Sequence, residues 1–536
     1  MQPQRLLLGD EAIAQGALDA GVSGCYAYPG TPSTEILEHV QRAPETRERG
    51  IHHDWSCNEK TAMEEALGLS YVGKRALVCM KHVGLNVAAD GFVNAAVTGV
   101  NGGVVVAVAD DPSMHSSQNE QDSRFYGQFA CVPVFEPGDQ QEAYEMVRRA
   151  FDLSEELLLP VLVRLTTRLA HSRANVAPAP ARPQNSLRFP DNPRRYILLP
   201  MNARKAYAEL LDKQPGMTAA AEQSRYNSLT PGGDSSLGII ACGITRNYLM
   251  EAYGEQTCPH PVLCIRQYPA PPNLLRQLLD MCEDVLVLEE GMPVLEQQLV
   301  GPAGPSEHIR GRLSGHLPRR GELDPDSVAV ALGLAPPAAQ PPLPAAIPPR
   351  PPRLCDGCGH VESYQALREA LETMPDARVF SDIGCYTLGA LPPYEIIDTC
   401  VDMGASVSMA KGAADAGLHP SIAVLGDSTF THSGMTPLLD CVWEQTPVTI
   451  IILDNSTTAM TGGQDSLGSG RFESIVRGIG VDPRHTRTLT PLPKEHDVNV
   501  AAIREELEFR GLSVIILARE CIQSARRRQK QGQTQV

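Results

Sequence analysis

Two segments place oxygen donors where apolar runs end. One reads Ala423-Val424-Leu425-Gly426-Asp427-Ser428-Thr429-Phe430 and the other Ile450-Ile451-Ile452-Leu453-Asp454-Asn455-Ser456-Thr457-Thr458. Short apolar runs closed by polar turn-formers are strands buried on both faces. Asp427 and Asn455 are 28 positions apart, room for one crossover helix over Ser433–Gln445 between parallel neighbours. Such strands present a carboxylate and an amide oxygen at one sheet edge. A hard cation such as Mg²⁺ prefers oxygen ligands and bridges to a diphosphate. Gly426 lets the backbone come close to phosphate, and the helix N-terminus that follows favours its charge. On these residues alone, two ordinary strand-end turns remain the alternative.

A second set is thiol chemistry. Cys355-Asp356-Gly357-Cys358-Gly359-His360 is a Cys-x-x-Cys pattern, Cys385 sits in a Gly-Cys-Tyr turn, and Cys521 follows a strand over Leu512–Leu517. A lone Cys-x-x-Cys is compatible with zinc, with redox work or with neither. Glu59 opens a helix in Trp55-Ser56-Cys57-Asn58-Glu59-Lys60, where a carboxylate satisfied by backbone donors is the plain reading. His82, His115, Arg124, His360 and His432 are further polar groups, each more readily structural than catalytic.

The elements that must carry these groups alternate. Apolar runs at Gly103–Asp110, Leu157–Arg164, Leu237–Cys242 and Val285–Glu289 are separated by helical segments such as Lys60–Val72 and Gln141–Ser154. Repeated βα alternation predicts α/β, doubly wound domains with ligands at the carboxyl ends of the strands. Proline-rich stretches at Pro178–Pro200 and Pro336–Pro352, the latter with nine prolines in seventeen positions, mark domain boundaries. The basic run Arg526-Arg527-Arg528-Gln529-Lys530 reads as a frayed, solvated tail. A net charge of −17 disfavours nucleic acid as a partner. No run of 18 apolar residues and no signal peptide are seen, so the expectation is a cytoplasmic protein, not a membrane one, with its fourteen cysteines reduced.

The Asp427 to Asn455 spacing resembles the thiamine-diphosphate motif, Gly-Asp-Gly followed by Asn, with Ser428 in place of its second glycine. Tyr28-Pro29-Gly30-Thr31-Pro32-Ser33-Thr34-Glu35, Met80-Lys81-His82-Val83-Gly84-Leu85-Asn86 and the run Asp110 to Arg124 add to it, as does Asp382-Ile383-Gly384-Cys385-Tyr386. Together, from Leu6 to about Cys521, the chain resembles the large (alpha) subunit of indolepyruvate:ferredoxin oxidoreductase, a thiamine-diphosphate-dependent 2-oxo acid oxidoreductase.

That resemblance implies three domains of thiamine-enzyme type. They are a pyrimidine-binding domain (1–176), a transketolase C-terminal-like domain (235–335) and a diphosphate-binding domain (353–522). A connector (177–234), a proline-rich linker (336–352) and a basic tail (523–536) complete the division. It implies Glu59 as the acid that activates the cofactor and Thr31 as a contact to the substrate carboxylate. Asp427, Asn455 and Thr457 would hold Mg²⁺. Gly384, Cys385, Gly426, Ser428 and Thr429 would line the cofactor. Cys355, Cys358, Cys385 and Cys521 would carry one [4Fe–4S] cluster, with structural zinc or reduced thiols as the alternatives. The implied reaction is oxidative decarboxylation of an aryl 2-oxo acid, with coenzyme A as acyl acceptor and ferredoxin or another acceptor for electrons. A small partner subunit and a homodimer or heterotetramer are implied too.

One departure qualifies this. Typical large subunits continue into a ferredoxin-like domain with two Cys-x₂-Cys-x₂-Cys-x₃-Cys runs, and no cysteine follows Cys521 here. The expectation is that this domain is absent, so that another subunit relays electrons or a different acceptor takes them. A non-oxidative thiamine-dependent decarboxylase or carboligase, and a non-catalytic scaffold subunit, stand as alternatives.

Overall fold

The computed structural model describes residues 4–334 and 352–534. The chain forms two compact units, Met1–Pro342 and Leu343–Val536. Most of the proline-rich linker lies outside the described residues.

Among its described residues the first unit holds two large sheets and the antiparallel pair Arg5–Leu8 with Arg173–Val176. One has the strand order Gln267–Tyr268, Val134–Phe135, Val161–Thr166, Val104–Asp110, Ala76–Lys81, Gly24–Ala27. All its pairings are parallel except the first, which is antiparallel. Its strands are apolar on both faces, and the alternation of side chains sorts them into two cores. Leu77, Cys79, Val105 and Ala107 belong to one, and Val78, Met80, Val104 and Val106 to the other. Each face is covered by helices, the arrangement expected where the strands run parallel. The strand expected over Leu157–Arg164 begins only at Val161. The preceding helix, Gln140–Leu157, runs on until Leu158 turns left-handed at φ 52°.

The second sheet has the order Ile309–Arg310, Asp284–Leu288, Leu237–Cys242, Val262–Ile265, Ser228–Thr230. It belongs to the same compact unit as the first. Gln267–Tyr268 leaves this piece to pair with Val134–Phe135. Beside that seam Arg124 bonds Asp122 and Glu289, and Arg164 bonds Asp110 and the Glu290 carbonyl, all buried. The connector is not a bare spacer. It lies along the first sheet's layer through Arg182 N to Asp19 O (2.9 Å) and Arg188 N to Val72 O (2.9 Å). It then forms the helices Pro200–Asp212 and Gln214–Glu222.

The second unit is a six-stranded, wholly parallel sheet ordered Thr399–Cys400, Arg378–Ser381, Ser421–Gly426, Thr449–Asp454, Ser513–Ala518, Thr486–Leu489. Parity again divides the core, with Ile422, Val424, Ile451 and Leu453 on one face and Ala423, Leu425, Ile450 and Ile452 on the other. The basic segment at the end is helical, Ile522–Thr534, rather than frayed. Its Gln and Arg residues are good helix formers, and Arg527 donates to the Gly462 carbonyl. Among the described residues no helix is long and apolar enough to cross a membrane.

Candidate active site

In the first unit the predicted residues gather at the carboxyl edge of the sheet. Glu59 opens the helix Glu59–Tyr71, whose N-cap Asn58 accepts from Thr61 N at 2.8 Å. Capping thus explains the helix start without Glu59, a residue only 6% exposed whose carboxyl reaches Gly84. It lies on the first turn of the helix His82–Thr98. A Cβ at Gly84 would stand 2.5 Å from Glu59 Oε1, so only glycine leaves room there. Thr31 is half-buried in the turn before the helix Thr34–Arg42. That turn is tied by Ser33 Oγ to Gly30 O (2.7 Å) and Gly30 N to Thr34 Oγ1 (3.1 Å). Ser116 Oγ donates to Thr31 O at 3.2 Å.

In the second unit Gly426 ends one strand and Asp427 begins the next helical turn. Asp427–Thr429, the π-helical turn Phe430–Gly434 and Met435–Glu444 follow without a break, so the positive end of the helix faces the strand edge. Thr449–Asp454 lies beside it in parallel register. Asp427 Oδ1 accepts from Ser428 N at 2.7 Å, and Ser469 Oγ reaches both Asp427 Oδ2 (3.4 Å) and Asp454 Oδ1 (3.1 Å). Burial, then the nearby Asp454 carboxylate, pushes Asp427 up to about 7. Asn455 is oriented at both ends, with Nδ2 3.1 Å from His360 Nε2 and Oδ1 accepting from Thr457 N at 3.0 Å. Burial pushes His360 down to about 4, so its ring is neutral and can accept the amide proton.

Gly384 and Gly426 also lie against a side chain of the protein itself. A Cβ on either would stand 2.2 or 2.5 Å from Tyr386 Cε1. The glycines admit the buried Tyr386 ring under the strand edge. Its hydroxyl donates to Asp382 and lies 2.9 Å from Thr429 Oγ1. Ser428 Oγ accepts from Thr458 Oγ1 at 2.9 Å, a link that glycine could not make.

The four predicted cysteines lie near enough for their thiols to act on one another. Cys358 caps the helix Gly359–Leu371, Cys385 opens a 3₁₀ turn, and Cys521 N donates to Asn455 O at 2.9 Å. Burial, then the neighbouring thiols of Cys358, Cys521 and Cys355, pushes Cys385 up to about 12. Among the described residues, the His, Cys, Asp or Glu groups with three ligand atoms within 4.8 Å of one another reduce to Asp10, Glu35 and His171. The four sulfurs are not among them.

The other polar candidates are placed elsewhere or held structurally. Arg124 is sealed among Asp122, Glu136 and Glu289. His115 pairs with Glu322 at 3.1 Å, His82 Nε2 meets Asn119 O at 3.1 Å, and His432 Nδ1 meets Ser433 Oγ at 2.5 Å. A cavity of about 680 Å³ beside the helix Gln140–Leu157 is lined by arginine–carboxylate pairs and holds none of the predicted site residues. Sequence reasoning missed Lys81, Gly84, Asp382, Tyr386 and Asp454. A charged residue closing an apolar strand was a usable signal for Lys81 and Asp454, whereas the role of Gly84 is visible only in three dimensions.

Residues 15–224 match the family model described as "Pyruvate flavodoxin/ferredoxin oxidoreductase, thiamine diP-bdg". Residues 382–527 match "Thiamine pyrophosphate enzyme, C-terminal TPP binding domain". The chain is 40% identical, over 98% of its length and 88% of the relative's, to indolepyruvate oxidoreductase subunit IorA of Archaeoglobus fulgidus. It is 38% identical, over 97% and 87%, to the subunit of the same name from Methanothermobacter thermautotrophicus. Among solved structures it matches a 2-oxoglutarate:ferredoxin oxidoreductase from Magnetococcus marinus with 2-oxoglutarate, coenzyme A and succinyl-CoA bound. The TM-score is 0.50 at 17% identity, over 62% of this chain and 65% of that one, a likeness of fold. On the identity held along nearly its whole length, the chain belongs to the IorA family of indolepyruvate oxidoreductase subunits, thiamine-diphosphate-dependent 2-oxo acid oxidoreductases.

Proposed function

We propose that this chain is the large subunit of an enzyme that oxidatively decarboxylates an aryl 2-oxo acid of the indolepyruvate kind. The acyl group passes to coenzyme A and the electrons to ferredoxin or another acceptor. The observation that carries this reading is the edge chemistry of a chain of this family. An acid lies against a helix start in one unit, and an oxygen-donor pair lies at a helix start in the other. Membership of an oxidoreductase family counts against a non-oxidative carboligase and against a scaffold.

Thiamine diphosphate supplies what side chains lack, a carbon nucleophile for the keto carbon and a sink for the electron pair that carbon dioxide leaves behind. Glu59 holds the proton exchanged with the cofactor's aminopyrimidine, in a site dry enough to tune it. Thr31 orients the substrate's carboxylate with its hydroxyl. Asp427, the Asn455 amide oxygen and the Thr457 carbonyl form an all-oxygen donor set suited to Mg²⁺. The paired carboxylates of Asp427 and Asp454 support this fit, since a divalent cation relieves their repulsion. Gly384, Cys385, Gly426, Ser428 and Thr429 surround the same helix start, which favours a diphosphate. Cys355, Cys358, Cys385 and Cys521 are the ligands we assign to one [4Fe–4S] cluster, which accepts electrons singly. A cytoplasmic complex with a small subunit, as a homodimer or heterotetramer, completes the reading.

The test is an anaerobic assay of the chain with its partner subunit, supplied with indolepyruvate, coenzyme A, thiamine diphosphate, Mg²⁺ and a viologen dye. Dye reduction matched by acyl-CoA supports the reading. Release of aldehyde or acyloin without dye reduction overturns it.

A further inference from the structure

We infer that Lys81 is the counter-ion of the substrate's carboxylate, forming an anion subsite with the Thr31 turn; this rests on the function proposed above. Lys81 is the last residue of the strand Ala76–Lys81 and the N-cap of the helix His82–Thr98. It therefore stands at the carboxyl edge of the parallel sheet, where ligands of such sheets gather. Its stem is fixed by the turn that carries Thr31. A Cβ at Gly30 would stand 3.5 Å from both Lys81 Cβ and Cδ, ordinary contact distance. Its Nζ donates to Ser116 O at 2.9 Å, and the same serine's hydroxyl donates to Thr31 O at 3.2 Å. Lysine, Ser116 and Thr31 are thus one connected group. An ammonium has three donors, and the bond to Ser116 takes one of them.

Charge selects the same residue. Of the two carboxylates that act on Lys81, Asp111 is already satisfied by neutral donors: Ser116 N at 2.8 Å, Ser117 Oγ at 2.6 Å and Thr167 Oγ1 at 2.7 Å. The other is Glu59, the cofactor's acid. The rival cations lie elsewhere, Arg124 inside its ring of carboxylates and His115 on Glu322. Lys81 is half-buried, and burial, opposed by Asp111 and Glu59, brings it down to about 8. It still carries its charge at neutral pH, with less water around it than a surface lysine has.

The role has a kinetic signature. The carboxylate loses its charge as carbon dioxide leaves, so a cation that grips it stabilises the bound ground state more than the transition state. Removing that cation raises KM more than it lowers kcat. A charge-assisted hydrogen bond contributes about 1.5–3 kcal/mol, equivalent to roughly 10- to 100-fold in affinity.

The experiment uses the holoenzyme with its partner subunit, as wild type, Lys81→Met and Lys81→Arg. Lys81→Met should raise KM for indolepyruvate by roughly 10- to 100-fold with a much smaller change in kcat, and Lys81→Arg should recover most of it. Inhibition by the uncharged methyl ester of indolepyruvate should be unchanged in Lys81→Met, a result that general damage to the pocket would not give. Unchanged KM in Lys81→Met, or equal weakening of acid and ester, overturns the assignment and leaves the proposed function standing. A wild type that binds thiamine diphosphate yet leaves indolepyruvate untouched overturns both.

Discussion

Glu59 and Gly84 are fitted to one another across two helix starts. A Cβ at Gly84 would lie 2.5 Å from Glu59 Oε1, 2.8 Å from its Cγ and 2.9 Å from its Cδ, so the acid occupies the space a side chain would take. Alanine is a better helix residue than glycine by about 1 kcal/mol, and the only penalty of Gly84→Ala is displacement of the carboxyl. We therefore expect Gly84→Ala to keep its fold and lose turnover. The loss should approach that of Glu59→Gln, about 10²- to 10⁴-fold for a positioned proton donor. Circular dichroism and kcat, measured side by side, check this. Full activity in Glu59→Gln would remove Glu59 from the mechanism, and full activity in Gly84→Ala alone would show that its carboxyl can shift without loss.

The Asp427–Asp454 pair gives a prediction in which binding and stability part company. Two carboxylates held together in a buried site destabilise the unloaded protein, and a cation with oxygen preference offsets that. Asp427→Ala should abolish Mg²⁺-dependent thiamine diphosphate binding by calorimetry. It should also leave the melting temperature of the unloaded protein equal to wild type or higher. A variant that binds the cofactor normally shows that the cation is held elsewhere.

The thiols make a third case. If Cys355, Cys358, Cys385 and Cys521 share one cluster, protein prepared anaerobically contains about four irons and four sulfides per chain, as the cluster's stoichiometry demands. Cys385→Ser should lower both together and bleach the visible charge-transfer band. One zinc and no sulfide at the site would exclude the cluster.

Much of this was legible beforehand because the signals were local. Apolar runs such as Ile450-Ile451-Ile452-Leu453 admit little besides a buried strand, and a turn-former at the end of each places the next residue at the sheet edge. Asp427 and Asn455 follow from that alternation, whereas the four cysteines were grouped only by the family resemblance. What escaped was set by contacts distant in sequence. Gly426 also gives room to the Tyr386 ring, 40 positions earlier. The middle sheet joined the first unit because Gln267–Tyr268 found the free edge at Val134–Phe135, a pairing no composition shift reveals. The arginine-rich end became helical because local propensity outweighed its proximity to a terminus.

Asp382 supplies a pH-dependent test of the scaffold beneath the second unit's edge. Burial pushes its carboxyl up to about 7, although the Ser406 and Tyr386 hydroxyls favour the ionised form, with Ser406 Oγ at 2.5 Å. In the unfolded chain an aspartate titrates near 3.8. Between those values the folded protein binds a proton that the unfolded chain has lost. The stability this proton confers is complete below pH 4, declines as pH rises toward 7 and is gone above it. Three pH units correspond to about 4 kcal/mol at the upper limit. Asp382→Asn keeps the shape and cannot ionise, so its stability should lack this slope. The difference in melting temperature between variant and wild type should favour Asp382→Asn increasingly from pH 4 to 7 and then level off. A difference that stays flat across that range would mean that the Tyr386 and Ser406 hydroxyls, and not burial, decide the charge of Asp382.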